Sequence, residues 1–515
     1  MATHAKRWMF LIHRWLGIAV CLFFAMWFVS GVVMMYVGYP KLTHAERLAH
    51  LPALEADGGL LGPAQALQAG HVQEPLQELR LAVASGGRPV YIAVPQAAHA
   101  GGNHGAAQAV VLDARTGERL RSFGAAWAQA SATAFAGPGV AVRYLDAVDE
   151  DAFTHTKSLD PHRPLHRLQI HDGAGTRLYV SSSTGEVVRD AARVERAWNY
   201  AGAWMHWLYM FRGGALDAHW ADIVNWLSIA CTAVAITGTV VGIWRWRFTR
   251  PYRSGARTPY PSRMMRWHHV TGLLFAAITL SWIFSGLMSM NPWKVFDRGA
   301  QPLRVEAMHG GALAVDARDA APERLLQAAG QDVRELRWTR VLGQVRVLAQ
   351  GASGRPRLLD AQTASPRAVD EAALRAAAAA LLPAPVQRIE RLDHYDLHYY
   401  ARADHTMTGG TDKPLPVLRV VFGDAHASWV HLDAQTGTLL GRTDSGRRAS
   451  RWLFAMLHSW DWLPLLDRRP LWDLLLVALS VGGAALSITG VVIAWRRLGL
   501  KLRSTSASGR RVRTV

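Results

Sequence analysis

Four long apolar stretches constrain the fold of this chain more than any other feature. Each has about 20 residues or more, which is the length an α-helix needs to cross a bilayer. They run from Phe10 to Val37, Ala221 to Trp244, Val270 to Met290 and Leu471 to Trp495. The first is too long for a secretory signal and no small-residue cleavage site follows it, so we expect a retained anchor. The sequence therefore predicts four transmembrane helices.

Basic residues cluster beside these stretches. Lys6 and Arg7 precede the first, the link 245–266 contains arginines but no acidic residue, and the tail from Arg496 onward is also basic without an acid. By the positive-inside rule, we expect both termini and the middle link in the cytoplasm. The segments 38–195 and 291–446 are then outside it. Because the net charge of +18 sits beside the spans, nucleic acid is not an expected partner.

An internal repeat organises the chain. A shift of 255 residues aligns His13 with His268, and a shift of 252 residues aligns His206 with His458. The first shift also aligns Gly17, Trp27, Ser30 and Gly31 with Gly272, Trp282, Ser285 and Gly286. Each half is a span, an exported segment, a short apolar helix and a second span. Two parallel copies predict a duplicated arrangement with a pseudo-two-fold axis along the membrane normal.

The predicted domains follow from the spans and the repeat. They are a cytoplasmic N-terminus with helix 1 (1–37), exported region 1 (38–195), a short helix with helix 2 (196–248), a basic loop (249–266), helix 3 (267–290), exported region 2 (291–446), a short helix with helix 4 (447–497) and a basic tail (498–515). In the exported regions, strand-like residues flank Thr-Gly turns, as in "RLYVSSSTGEVV" and "SWVHLDAQTGTLL". Such patterns predict hairpins, so we expect two α+β regions.

Four histidines are the candidate metal ligands. His13 and His268 lie at the same depth near one end of their spans, and His206 and His458 occupy matching places near the other end. A lone intramembrane histidine is more often an anchor or a packing group. Two symmetry-related imidazoles, however, can supply both axial ligands of one flat cofactor, as in bis-histidine haem. His269 is an alternative to His268, because a rotation by one residue would turn it inward.

Arginines near these histidines are candidates for pairing with haem propionates, because guanidinium binds carboxylate in a bidentate manner. Arg14 and Arg266 lie on the inner side, and Arg196 and Arg448 lie on the outer side, with Arg451 as a further outer candidate. For any single arginine, membrane-flanking or surface charge is an equally simple interpretation.

The two cysteines carry no metal or haem motif. Cys21 and Cys231 both fall inside apolar stretches and belong to no Cys-x-x-Cys or Cys-x-x-Cys-His pattern. Any haem is therefore expected to be bound without a covalent link.

The motifs resemble a known family over essentially the whole chain. "RRASRWLFAMLHSWDWLPLL" with the downstream "LSITGVVIAWRRL" resembles the C-terminal part of PepSY-associated transmembrane proteins, and "HRWLGIAVCLFFAMWFVSG" resembles their first helix. Members include inner-membrane ferrisiderophore reductases that hold haem b. The resemblance thus implies two haems b, PepSY-like periplasmic regions, a bacterial inner-membrane location, and His13, His206, His268 and His458 as iron ligands.

The predicted function is electron transfer across the membrane to a periplasmic ferric siderophore or other ferric chelate. No Gly-x-Gly-x-x-Gly fingerprint follows a strand, so a separate reductase or quinol is the expected donor. The catalytic residues stay unassigned, and membrane lipid is an expected partner. The alternative is a non-catalytic protein whose PepSY modules bind or regulate a periplasmic partner. A transporter is less expected, because the spans contain almost no carboxylates or lysines.

Overall fold

The computed structural model describes residues 2–56, 59–96, 108–297, 299–330, 332–403, 405–406 and 409–511, with side chains described between 4 and 500. Residues 512–515 of the predicted basic tail lie outside this part of the chain. The chain divides into two compact units. Unit 1 contains residues 1–38, 198–298 and 446–515, and unit 2 contains residues 39–197 and 299–445.

Within the described residues, the α-helices follow one another along the chain. They are α1 (Ala2–Tyr36), α2 (His44–His50), α3 (Pro63–Ala69), α4 (Ala125–Ala136), α5 (Arg193–Asn199), α6 (Trp220–Arg245), α7 (Arg263–Leu274), α8 (Ala276–Ser289), α9 (Glu306–His309), α10 (Pro322–Ala329), α11 (Glu371–Ala379), α12 (Ser445–Arg451), α13 (Leu463–Leu466) and α14 (Leu471–Arg511). Two single π-helical turns, Tyr200–Trp204 and Trp452–Met456, follow α5 and α12 directly.

Unit 1 contains the helices that can cross a membrane. In the described residues, three unbroken helical stretches are long and apolar enough: His4–Tyr36, Asp217–Arg245 and Leu471–Leu500. Their apolar residues face one another in a core that includes Phe24 and Phe28 of α1. The protein is therefore a membrane protein.

The predicted arrangement of four transmembrane helices is wrong. The third predicted span consists of two shorter helices, α7 and α8, which are bent by 69° relative to each other. Phe275 lies at the break with φ −105° and ψ 12°, and its ring packs against the α14 backbone at Gly482. Apolar length along a sequence does not report a change of direction, which is why the prediction missed the break.

The described strands of unit 2 form three antiparallel sheets. They are β1 (Leu76–Ser85), β2 (Arg88–Pro95), β3 (Val110–Asp113), β4 (Arg119–Leu120), β5 (Val142–Val148), β6 (Leu165–Ile170), β7 (Arg177–Ser181), β8 (Val187–Ala191), β9 (Val333–Val341), β10 (Gln344–Gly351), β11 (Arg357–Asp360), β12 (Val386–Leu392), β13 (Val417–Phe422), β14 (Trp429–Asp433) and β15 (Leu439–Thr443). The sheet orders are β11-β10-β9-β1-β2-β3-β4, β5-β6-β7-β8 and β12-β13-β14-β15.

The prediction of two separate α+β regions is also wrong. β1 from the first exported segment pairs with β9 from the second, with Leu81 opposite Leu336. The two segments thereby share one seven-stranded sheet. Strand patterns in the sequence identify strands but not their partners, and pairing between distant segments depends on side chains that meet only in the fold. Leu81, Tyr91, Leu336 and Trp338 are buried in the core on this sheet.

The predicted Thr-Gly hairpins are confirmed. β7 and β8 pair around Thr184 and Gly185, and β14 and β15 pair around Thr436 and Gly437. Both glycines have φ of +71°. A side chain at this angle would strain the backbone, which explains why glycine occupies both turns.

A buried ion network joins elements of unit 2. Glu335 on β9 is fully buried, and its Oε2 lies 2.7 Å from Arg47 Nη2 and 3.3 Å from Arg80 Nη1. Arg80 also binds both carboxylate oxygens of Glu186, at 3.1 and 3.2 Å. Burial raises the pKa of Glu335, but Arg47 and Arg80 outweigh burial and lower it to about 2.

We expect Glu335→Gln to destabilise unit 2 by about 3–5 kcal/mol at neutral pH, because two part-buried guanidinium groups lose a shared, fully buried carboxylate. In the unmodified chain, a pKa below the usual 4.5 means that this stabilisation is full above that pH and is lost as the pH falls toward 2. Urea unfolding of the full chain in detergent, followed by the strand signal in circular dichroism, measures both effects. Glu118→Gln, at an exposed turn position, is the control, and equal unfolding midpoints for the two variants would contradict this account.

Candidate functional site

The first histidine pair, His13 and His268, joins α1 to α7 within unit 1. The two ring centroids are 6.3 Å apart, and the ring planes differ by 29°. His13 Nδ1 lies 3.3 Å from the carbonyl oxygen of Val234 on α6, and His268 Nδ1 lies 3.1 Å from Thr489 Oγ1 on α14. Four helices thus hold this pair.

The second histidine pair, His206 and His458, lies beyond the two π-helical turns. Its ring centroids are 6.1 Å apart, with planes at 76°. His206 Nδ1 lies 2.9 Å from Ser30 Oγ, and His458 Nδ1 lies 3.0 Å from Ser285 Oγ. Single π-helical turns occur frequently at functional sites. Since Ser30 is 17 residues after His13 on α1, the two pairs lie about 25 Å apart along this helix.

The hydrogen bonds favour the same tautomer in all four rings. Val234 offers a carbonyl oxygen, which can only accept. The hydroxyls of Ser30, Ser285 and Thr489 already donate to backbone carbonyls one turn earlier, at 2.7, 3.1 and 2.6 Å. In this arrangement each hydroxyl accepts from the histidine, and we infer that the ring proton lies on Nδ1.

This tautomer leaves the lone pair of Nε2 available on every ring. Within the described part of the chain, no hydrogen bond involves Nε2 of these four residues. Metal-binding histidines typically use one nitrogen for the metal and donate the other N–H to a fixed acceptor, which orients the ring. Both pairs have this arrangement.

The ring spacing fits a metal shared by each pair. A metal–nitrogen distance of about 2 Å and a ring radius of roughly 1.1 Å would separate two ligating ring centroids by about 6 Å. No group of three or more metal-ligating side chains is found among the described residues.

His269 differs from its neighbour His268. Its Nδ1 lies 2.8 Å from Thr258 Oγ1, and its Nε2 lies 2.8 Å from the carbonyl oxygen of Gly242. The ring is buried between Trp246 and Tyr260, which both approach it edge-on. Both ring nitrogens of His269 have hydrogen-bond partners, so this residue packs α7 against its neighbours. His268, in contrast, has Nε2 available to bind a metal.

A cavity of about 310 Å³ surrounds the first pair. Small residues leave the space for it, because Gly17, Gly238, Gly272 and Gly490 all line its wall. These four positions are related by the repeat in two pairs. The cavity is large enough to bury a flat ligand, since ligand pockets typically measure about 300–1,000 Å³.

Arginines line this cavity, although not all of them were predicted. Arg14 lies on the wall, and so do Arg245 and Arg497, which the sequence analysis did not select. Arg266 is exposed and is absent from the described cavity wall. Arg245 and Arg497 are 252 residues apart, so the repeat contained the signal that would have identified them.

The outer arginine candidates, Arg196, Arg448 and Arg451, do not all lie in the same unit. Arg196 belongs to unit 2, where its guanidinium donates to the carbonyls of Gly175 and Ala191. Arg448 lies in α12 of unit 1. Arg451, at the end of the same helix, has Nη1 3.8 Å from the buried carboxylate of Asp461.

Further contacts from repeat-related residues support the second pair. Trp27 Nε1 donates to the carbonyl of His206 at 2.9 Å, and His458 Nδ1 lies 3.2 Å from the carbonyl of Trp282. A Cβ added to Gly31 would lie 3.6 Å from His206 Cε1, and one added to Gly286 would lie 3.7 Å from His458 Cε1. The same residue types thus fix both rings of the second pair.

Comparison with known proteins identifies the family. The family described as PepSY-associated TM region matches residues 10–355, about two thirds of the chain. No curated protein sequence matches this chain. The matched region includes α1, α6, α7 and α8, with His13, His206 and His268. This match confirms the resemblance inferred from the sequence motifs, and the chain therefore belongs to the PepSY-associated transmembrane family.

Proposed function

We propose that the protein carries electrons across a bacterial inner membrane through two non-covalent haem b groups. In this proposal His13 and His268 hold one haem, and His206 and His458 hold the other. The observation that carries it is the common geometry of the four rings: each is hydrogen-bonded through Nδ1 and lies about 6 Å from a partner ring. Histidines that only pack between helices are not expected to face each other in matched pairs with Nε2 free of hydrogen bonds.

The surrounding residues suit a haem at the first pair. His13 and His268 would hold the haem through Nε2, and the bound haem would supply one-electron redox chemistry. Arg14, Arg245 and Arg497 supply guanidinium groups for the propionates. Phe10, Phe24 and Leu273 on the wall exclude water from the ring.

The charge distribution supports a direction for the electrons. With the basic link and tail in the cytoplasm, the first pair is nearer the donor side and the second pair is nearer the periplasm. A quinol or a separate cytoplasmic reductase supplies the electrons, and a ferric siderophore or other ferric chelate accepts them. Reduction to Fe(II) weakens binding by hard oxygen ligands and thereby releases the iron.

We expect the space beside His13 to be essential for the first haem. A Cβ at Gly238 would lie 2.6 Å from His13 Cε1, so Gly238→Ala must displace the ring from its position opposite His268. A Cβ at the repeat-related Gly490 would lie 3.5 Å from His268 Cε1, an ordinary contact distance. Gly238→Ala should therefore lose most of one haem, while Gly490→Ala retains both. Haem content per chain measures the difference, and equal content in the two variants would contradict this role of Gly238.

Liposomes provide the test of the transport direction and of the acceptor. Purified protein is reconstituted with ferric citrate and an impermeant ferrous-binding dye inside, and an impermeant reductant is then added outside. We expect dye colour inside the vesicles with the unmodified protein, but only the background leak with His206→Ala/His458→Ala. A colourless protein that forms no ferrous dye would instead support the alternative, a non-catalytic module that binds a periplasmic partner.

A further inference from the structure

Aromatic side chains connect the two histidine pairs inside unit 1. Phe24 lies on the wall of the first-pair cavity, and Phe28 follows it by one helical turn on the same face of α1. The Phe28 ring centroid is 5.8 Å from that of Trp282 on α8. The backbone carbonyl of Trp282 lies 3.2 Å from His458 Nδ1. Phe24, Phe28 and Trp282 therefore lie in one apolar cluster between the first pair and the second.

The aromatic connection exists in only one half of the repeat. A shift of 255 residues aligns Phe24 with Thr279 and Phe28 with Ile283. Neither of these residues is aromatic, although both are buried in the same helical unit. The histidines, serines and glycines quoted above match between the two halves, whereas these two aromatic positions do not.

The Phe28–Trp282 contact is held rigidly. Phe28 is buried, and a Cβ at Gly483 of α14 would lie 2.2 Å from its Cζ, so the α14 backbone closes directly against the ring. Trp282 Nε1 is buried without a hydrogen-bond partner among the described residues, whereas its repeat relative Trp27 donates to the carbonyl of His206. A buried donor without a partner is unfavourable and requires an explanation. Phenylalanine at this position would avoid that cost.

We infer that Phe24, Phe28 and Trp282 form the electron path between the first and second pairs. The inference rests on the proposed function, since it requires both haems. One electron passes from the reduced haem at the first pair to the oxidised haem at the second pair, and no bond forms or breaks. The donor named above supplies this electron, and the ferric chelate accepts it. The Phe28–Trp282 ring contact, with Phe24 one turn earlier on α1, places delocalised π-orbitals along a separation that saturated side chains bridge less well.

The test compares two identical substitutions on one helix. Phe28→Leu interrupts the path, and Phe23→Leu is the control, because Phe23 is partly buried on α1 and its ring is 6.1 Å from Trp27. Phe24, but not Phe23, is among the described residues on the cavity wall. Fully reduced protein in nanodiscs is mixed with ferric citrate, and haem absorbance is followed. We expect a fast phase for the outer haem and a slower phase for the inner haem.

Phe28→Leu should slow the second phase by about tenfold and leave the first unchanged, while Phe23→Leu should change neither. Trp282→Leu should act like Phe28→Leu, and Trp282→Phe, which keeps a ring, should retain most of the rate. Haem content, reduced spectra and midpoint potentials of every variant provide a readout independent of the rate. Equal rates of the second phase in Phe28→Leu, Trp282→Leu and Phe23→Leu would overturn the proposed electron path but not the proposed function. Absence of haem from the unmodified protein would overturn the proposed function instead.

Discussion

His13→Ala and His268→Ala are each expected to remove the same single haem, and the double variant is expected to lose no more than either one. The reason is geometric: the two rings share one site, with centroids 6.3 Å apart, and each offers only Nε2. Pairing with the second pair would require a ring to reach along about 25 Å of helix. Pyridine haemochrome assay of the three purified variants measures the loss.

His269→Ala is the control for this experiment. It removes a neighbouring imidazole whose two nitrogens already bind Thr258 and Gly242, so both haems should remain even if the helix is less stable. Full haem content in His268→Ala together with loss in His269→Ala would show that the wrong histidine has been assigned.

The second large effect is expected from substitutions in the second histidine pair. His206→Ala and His458→Ala should each remove the second haem and abolish reduction of an external ferric chelate, while the first haem remains reducible. These rings are 6.1 Å apart and their Nδ1 atoms are fixed by Ser30 and Ser285, far from the first pair. Difference spectra report the remaining haem, and a ferrous-binding dye reports the reaction.

His219→Ala is the matched control, because His219 is an exposed histidine in the same unit. It should retain both haems and full ferric reduction. Unimpaired ferric reduction in His206→Ala or His458→Ala would contradict the order of the two sites. Loss of both haems from either variant would contradict the independence of the two pairs.

The sequence repeat was enough to predict which histidines meet. Because the fold brings repeat-related positions to matching places, His13 approaches His268 and His206 approaches His458. The same reasoning would have identified Arg245 and Arg497, which line the first-pair cavity at equivalent repeat positions. The tautomers were beyond prediction, since they depend on which carbonyl or hydroxyl each ring reaches.

Other features of the fold depend on contacts that a sequence pattern does not encode. The helix break at Phe275 occurs without proline, and its ring occupies space above Gly482 on a helix about 200 residues later. The pairing of β1 with β9 is similarly non-local. Arg196 was predicted to bind a haem propionate, but it donates to two backbone carbonyls near its own helix. The sequence alone does not distinguish these two roles of an arginine.

Haem stoichiometry of the purified, unmodified protein tests the central claim most directly. Acid-acetone extraction followed by pyridine haemochrome assay, with the protein quantified by amino-acid analysis, gives the number of non-covalent haems b per chain. Two paired sites, each with two free Nε2 atoms, predict two haems per chain, both extractable because Cys21 and Cys231 lie in no haem-attachment motif. A value of zero would contradict the haem proposal, and a value of one would contradict either the first or the second pair.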